Sequence, residues 1–126
     1  MSKQTPLAKA RGLGSAKEGT HHFWHQRLTA VALVPLTLWI MISIVMMTSL
    51  DYESVVVWMS APINAVLLLI FMLALFYHAQ LGVQVVIEDY IESEWQKIAC
   101  IILIRFLVIL AGTSSVLAIL KVFLGL

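Results

Sequence analysis

His78-Ala79-Gln80-Leu81-Gly82-Val83-Gln84-Val85-Val86-Ile87-Glu88-Asp89-Tyr90 starts inside a long uncharged run and ends among acids. Read as a helix turning about 100° per residue, it returns to nearly the same face every eleven positions. His78, Gly82 and Asp89 then share one stripe, with Val85 and Val86 at its flanks. At ~1.5 Å rise per residue, His78 stands about 16 Å deeper than Asp89. With Asp89 at a membrane surface, His78 is expected near the middle of a ~30 Å hydrocarbon layer. An imidazole there is costly without a partner, which makes it a candidate functional group.

The flanking sequence supports a membrane setting. Residues 28–50 carry no charge and are long enough to cross, with Pro35 expected to kink the helix. Asp51-Tyr52-Glu53 forms a short acidic turn. Residues 55–86 read as one second span, longer than needed, with Pro62 and Asn64 at head-group level. Residues 88–97 form a polar connection containing Tyr90 and Trp95, and 98–123 form the third span. Arg105 lies inside that span and needs an acidic partner or a polar cavity; Asp89 or a haem propionate would serve. Lys121 near its far end can snorkel outward.

Composition agrees. Of 126 residues, 61% are hydrophobic and 12% charged, which excludes an ordinary soluble domain. The chain is one small membrane-anchor domain over 1–126, without room for a separate soluble catalytic domain. The net charge of +1 offers nothing for nucleic acid. A lone cysteine, Cys100, excludes an internal disulfide and any CxxCH haem attachment, and reads as a buried thiol.

Residues 1–27 form a polar arm ending in Thr20-His21-His22-Phe23-Trp24-His25-Gln26-Arg27, an aromatic and basic interface segment. A cleaved signal peptide is not expected, because this segment separates the bases from the apolar run. Three histidines in five residues suggest metal, but no Cys or local carboxylate pair completes such a site. Lys3, Lys9, Arg11, Lys17 and Arg27 precede the first span, and the first connection has no Lys or Arg. The positive-inside rule therefore places the N-terminus in the cytoplasm and the C-terminus outside. Asp89 and Tyr90 return to the cytoplasmic surface, on the same side as Arg27.

From the residues alone, His78 fits two roles equally. It can be an axial haem ligand, with Gly82 admitting a flat macrocycle, or a histidine bonded to a neighbouring helix, with Gly82 as a packing residue. No span contains a second histidine, so a bis-histidine haem needs its other ligand from another polypeptide. A Tyr90 hydroxyl can donate to a quinone carbonyl beside a proton-relaying Asp89. Against this stands an ordinary belt tyrosine next to a solvated acid. Arg27 can pair with a haem propionate or simply anchor the helix.

The arrangement His78-x3-Gly82-x6-Asp89-Tyr90 on the second of three spans resembles the small hydrophobic membrane anchors of succinate dehydrogenase, respiratory complex II. The stretch from His21 to Arg27, running into Leu28-Thr29-Ala30, resembles the same family's entry to its first helix. The likeness covers the whole chain in layout and is specific at these two motifs. It implies an all-α membrane protein whose three transmembrane helices form half of a haem-binding bundle with a partner anchor.

By that resemblance, His78 is an axial ligand to the iron of haem b, shared with a second anchor, the cytochrome b subunit. Gly82 packs on the haem, Arg27 and His21 lie near its propionates, and Tyr90 with Asp89 serves ubiquinone. Succinate oxidation belongs to a flavoprotein subunit, and electrons reach the quinone through an iron–sulfur subunit. The chain alone is then not catalytic, and membrane lipid surrounds it. A bacterial inner membrane is the expected location, with the mitochondrial inner membrane as the alternative. The functional alternatives are a fumarate reductase-type anchor and a non-redox three-helix scaffold.

Overall fold

A computed structural model describes residues 5–7, 17–47 and 49–126, the side chains of 17–19 apart. Most of the arm, with Lys3, Lys9 and Arg11, lies outside the described residues. Four helices follow in order: α1 Lys17–Met46, α2 Tyr52–Ser60, α3 Pro62–Tyr90 and α4 Glu94–Leu124. Three helical segments, Thr20–Met46, Pro62–Tyr90 and Glu94–Leu124, are long and apolar enough to cross a membrane.

The stretch expected as one helix over 55–86 is two. Pro62 has no N–H to donate, and its ring pushes the preceding residue out of the helical region. Ala61 accordingly sits at φ −66, ψ 129, ending α2 and starting α3 with Pro62 at its first turn. Asn64 Nδ2 donates to the freed Trp58 carbonyl at 2.8 Å, so the break leaves that acceptor satisfied. Pro35, by contrast, stays within α1, where the helix runs on to Met46. The interface segment 20–27 is also helical and belongs to α1.

The helices form an open layer with α3 in the middle. α3 packs against both α1 and α4, and α1 and α4 do not touch among the described residues. The dense core lies at the end where α2 sits. There Ala65, Leu68 and Ile119 are buried and Trp39, Ile40, Trp58 and Met72 pack around them. The Trp39 and Trp58 rings stack at 5.4 Å, tying α2 to α1. Toward the opposite end Leu81 of α3 is buried as well, and polar side chains join α1 to α3.

Side-chain contacts fix how the helices are staggered. Thr29 of α1 touches His78 of α3 at 3.0 Å, and Gln26 faces Gly82, with 3.7 Å between Gln26 Nε2 and a Cβ built there. A Cβ on Gly112 of α4 would lie 3.8 Å from the Phe76 ring. Arg27 is therefore about level with Gln80, and Arg105, seven residues nearer the α3–α4 turn than Gly112, is level with α3 residues around Gln80 to Gln84.

This register sets His78 against α1. The uncharged run of α1 begins at Leu28, beside the Thr29 that touches His78. His78 is therefore level with the start of that run. Arg27 is not level with Tyr90: ten residues of α3 separate Gln80 from Tyr90, about 15 Å. Beyond that level, residues 78–90, 94–105 and 17–27 form a head, apolar over 98–104 and charged at its far end on Glu88, Asp89, Glu92, Glu94 and Lys97.

Candidate functional site

The site is built where α1 crosses α3. Thr29 has one hydroxyl proton, and it points back along α1 to the carbonyls of His25 at 2.8 Å and Gln26 at 3.1 Å. Its oxygen also lies 3.0 Å from His78 Nδ1. In the tautomer with its proton on Nδ1, the ring donates to this oxygen and keeps a lone pair on Nε2. A second hydrogen bond that fixes tautomer and ring orientation is the usual support of a metal-ligating histidine. The ring is half-buried.

Gly82 lies one turn from His78, facing Gln26. A Cβ there would make only ordinary contact, so the position is not sterically forced. Two buried polar atoms on the same stretch of α1, His22 Nε2 and Gln26 Oε1, have no partner among the described residues. Gln26 faces Gly82 and His22 lies one turn farther from His78, so a nitrogen and an acceptor oxygen are unmet along this face of α1.

The other expected residues are placed but not gathered. His21 is exposed and meets His25 ring edge to face at 6.5 Å. Arg27 is exposed, with its guanidinium 5.1 Å from the centre of the Phe23 ring, a cation–π contact. Neither touches His78. Asp89 and Tyr90 are exposed in the last turn of α3, Tyr90 by 82%. Tyr90 lines an open depression of about 570 Å³ with Ile91, Glu92, Ser93, Gln96 and Cys100. Cys100 is half-buried rather than buried. Arg105 is exposed and pairs with no acid among the described residues, Asp89 included. No group of three or more metal-binding side chains occurs among them either.

Sequence reading missed Thr29, Gln26 and the pair His25–Tyr77, whose Nδ1 and hydroxyl share a hydrogen bond. These contacts join residues about fifty positions apart, and no local pattern announces them. It also missed the stripe Tyr77, Gln80, Gln84 and Glu88 along α3, closed by a 2.8 Å bond from Gln84 Nε2 to Glu88. That one was visible as polar residues every three or four positions.

The family model for the succinate dehydrogenase/fumarate reductase transmembrane subunit matches residues 1–112. The chain belongs to this family. It is 37% identical over 113 residues to the succinate dehydrogenase hydrophobic membrane anchor subunit of Rickettsia bellii (strain RML369-C), covering 90% of each chain. The subunit of the same name from Paracoccus denitrificans is 34% identical over 102 residues, covering 81% of this chain and 79% of its own. The Rickettsia conorii (strain ATCC VR-613 / Malish 7) subunit is 34% identical over 113 residues, covering 89% and 90%. As a transmembrane subunit of this family, the chain uses its apolar helices to cross the membrane.

Proposed function

We propose that this chain anchors a succinate dehydrogenase in a bacterial inner membrane, with the head in the cytoplasm, and helps hold a b-type haem and ubiquinone. The observation that carries the reading is the Thr29–His78 hydrogen bond, because it holds the ring through Nδ1 and leaves Nε2 free to face a ligand. The unmet His22 nitrogen and Gln26 oxygen nearby fit a group bearing polar substituents. His78 would hold the haem iron, together with a residue of a cytochrome b partner anchor. Gly82 would give it room, and Arg27 and His21 would serve its propionates from α1. The haem, when bound, supplies a one-electron carrier within the membrane.

The chain's own residues then do simple work. Thr29 fixes the His78 ring. Tyr90, at the top of the head, donates its hydroxyl hydrogen bond to a ubiquinone carbonyl, and Asp89 beside it hands on protons. An exposed Tyr90 suits contact with an iron–sulfur subunit that brings electrons from a flavoprotein subunit oxidising succinate.

A purified complex should show a b-type band in its dithionite-reduced minus oxidised spectrum, and His78→Ala should remove or shift it. A spectrum indifferent to that substitution would strike His78 from the ligand set. Tyr90→Phe should lower quinone reduction and spare succinate oxidation by an artificial soluble acceptor. Equal loss of both would move the residue's role to assembly. Absence of flavoprotein and iron–sulfur chains from a gently purified sample would favour a non-redox scaffold.

A further inference from the structure

On the side of α3 away from His78, α3 and α4 enclose a groove of about 520 Å³. Leu73, Phe76 and Val108 contribute to its apolar walls, and Gly112 opens it by carrying no side chain. The two helices are antiparallel, so Gln80 and Val108 mark the same mouth, toward the polar head. Each wall continues past that mouth in register. On α3, Leu73, Tyr77 and Gln80 line the groove, and Gln84 is the next residue on that stripe. On α4, Val116, Gly112 and Ile109 line it, and Arg105 is the next.

The mouth is therefore flanked by a guanidinium and two amides, above a mostly apolar channel. Arg105 is exposed, has no anionic partner among the described residues, and sits among exposed Ile102, Phe106 and Ile109. A lone cation at the edge of hydrocarbon is stabilised by an anion brought to it. One turn beyond Gln84, Glu88 adds a carboxylate farther from the slab. Cation below and anion above match the order of charges in an aminophospholipid, phosphate below and ammonium above.

We infer that this groove is a phospholipid site: an acyl chain lies between α3 and α4, the phosphate binds Arg105, and the headgroup amine faces Glu88. The site is specific for a lipid with a primary amine, since a quaternary headgroup cannot donate hydrogen bonds to Glu88. Its lining on α3 lies about 100–160° around the helix from His78, and Glu88 about 80°, so it uses none of the residues of the haem reading. It rests only on the membrane placement of these helices.

Native mass spectrometry of the intact complex in nanodiscs containing mixed phosphatidylethanolamine, phosphatidylcholine and phosphatidylglycerol tests it. The wild-type complex should retain phosphatidylethanolamine preferentially. Arg105→Gln should weaken that retention about tenfold, the scale of one lost charge-assisted pair, and Arg105→Lys should restore part of it. Gly112→Leu should expel the lipid by filling the groove while leaving all subunits associated. Unchanged lipid retention in both Arg105→Gln and Gly112→Leu would overturn the assignment. So would loss of a partner subunit in Arg105→Gln at unchanged lipid content, which would make Arg105 a protein contact, or a quinone in place of the phospholipid.

Discussion

At the residue scale the decisive side chain is Thr29, which has no chemistry of its own. Its hydroxyl proton is held by two carbonyls of α1, and its oxygen holds the His78 ring. Outer partners of a metal-bound histidine typically contribute about 10–100-fold in metal affinity. Thr29→Val keeps the shape and removes the acceptor, so haem retention in the purified complex should fall on that scale. Thr29→Ser restores the hydroxyl and should recover most of it. Haem content and band position equal to wild type in Thr29→Val would show that the bond serves packing alone. His78 itself was legible because an imidazole within an apolar run is conspicuous. Thr29 was not, since a threonine in a membrane helix is unremarkable until its neighbour across the interface is known.

Among the elements, α2 shows how much local chemistry decides. Asp51 caps it, accepting from the Ser54 amide at 3.3 Å and the Ser54 hydroxyl at 2.7 Å, with the Ser49 hydroxyl on the same carboxylate. The Ser49 bond foremost, then those from Ser54, hold Asp51 down at about 2, against an ordinary value of 3.8. The folded value is depressed, so the cap's contribution is complete above the ordinary value and fades as pH falls toward 2. Hydrogen exchange at the Ser54 amide, corrected for intrinsic rate, should lose protection over that interval, and Asp51→Asn should flatten the change. Protection that is flat with pH in the wild type would remove the carboxylate from the cap. The acidic turn was readable in sequence as Asp51-Tyr52-Glu53, and so was the signal for the break, since Pro62 follows Ala61. Taking 55–86 as one span gave hydropathy more weight than the missing N–H of Pro62, and backbone sterics prevail there.

For the whole molecule, the consequential property is the stagger of three helices. Counting along α3 alone placed His78 halfway down, and the uncharged run of α4 placed the membrane boundary at residue 98. Side-chain contacts instead align Arg27, Gln80 and Arg105 within about one helical turn. Below that plane, residues 28–46 and 105–124 each span about 28–30 Å, the thickness of a hydrocarbon layer. Single helices cannot reveal this, because α3 and α4 have more apolar length than the bilayer needs and their neighbours select which part is used. Spin labels at outward positions of α4, in the complex reconstituted into vesicles, distinguish the two placements. With the boundary near Arg105, labels replacing Ile98 and Ile102 should be open to a water-soluble nickel chelate. Labels replacing Leu110 and Leu117 should favour dissolved oxygen, as groups in hydrocarbon do. A label at Ile98 that already behaves as lipid-immersed would return the boundary to the start of the uncharged run. His78 would then sit deep in the membrane, and Arg105 would need an anion supplied well below the headgroups.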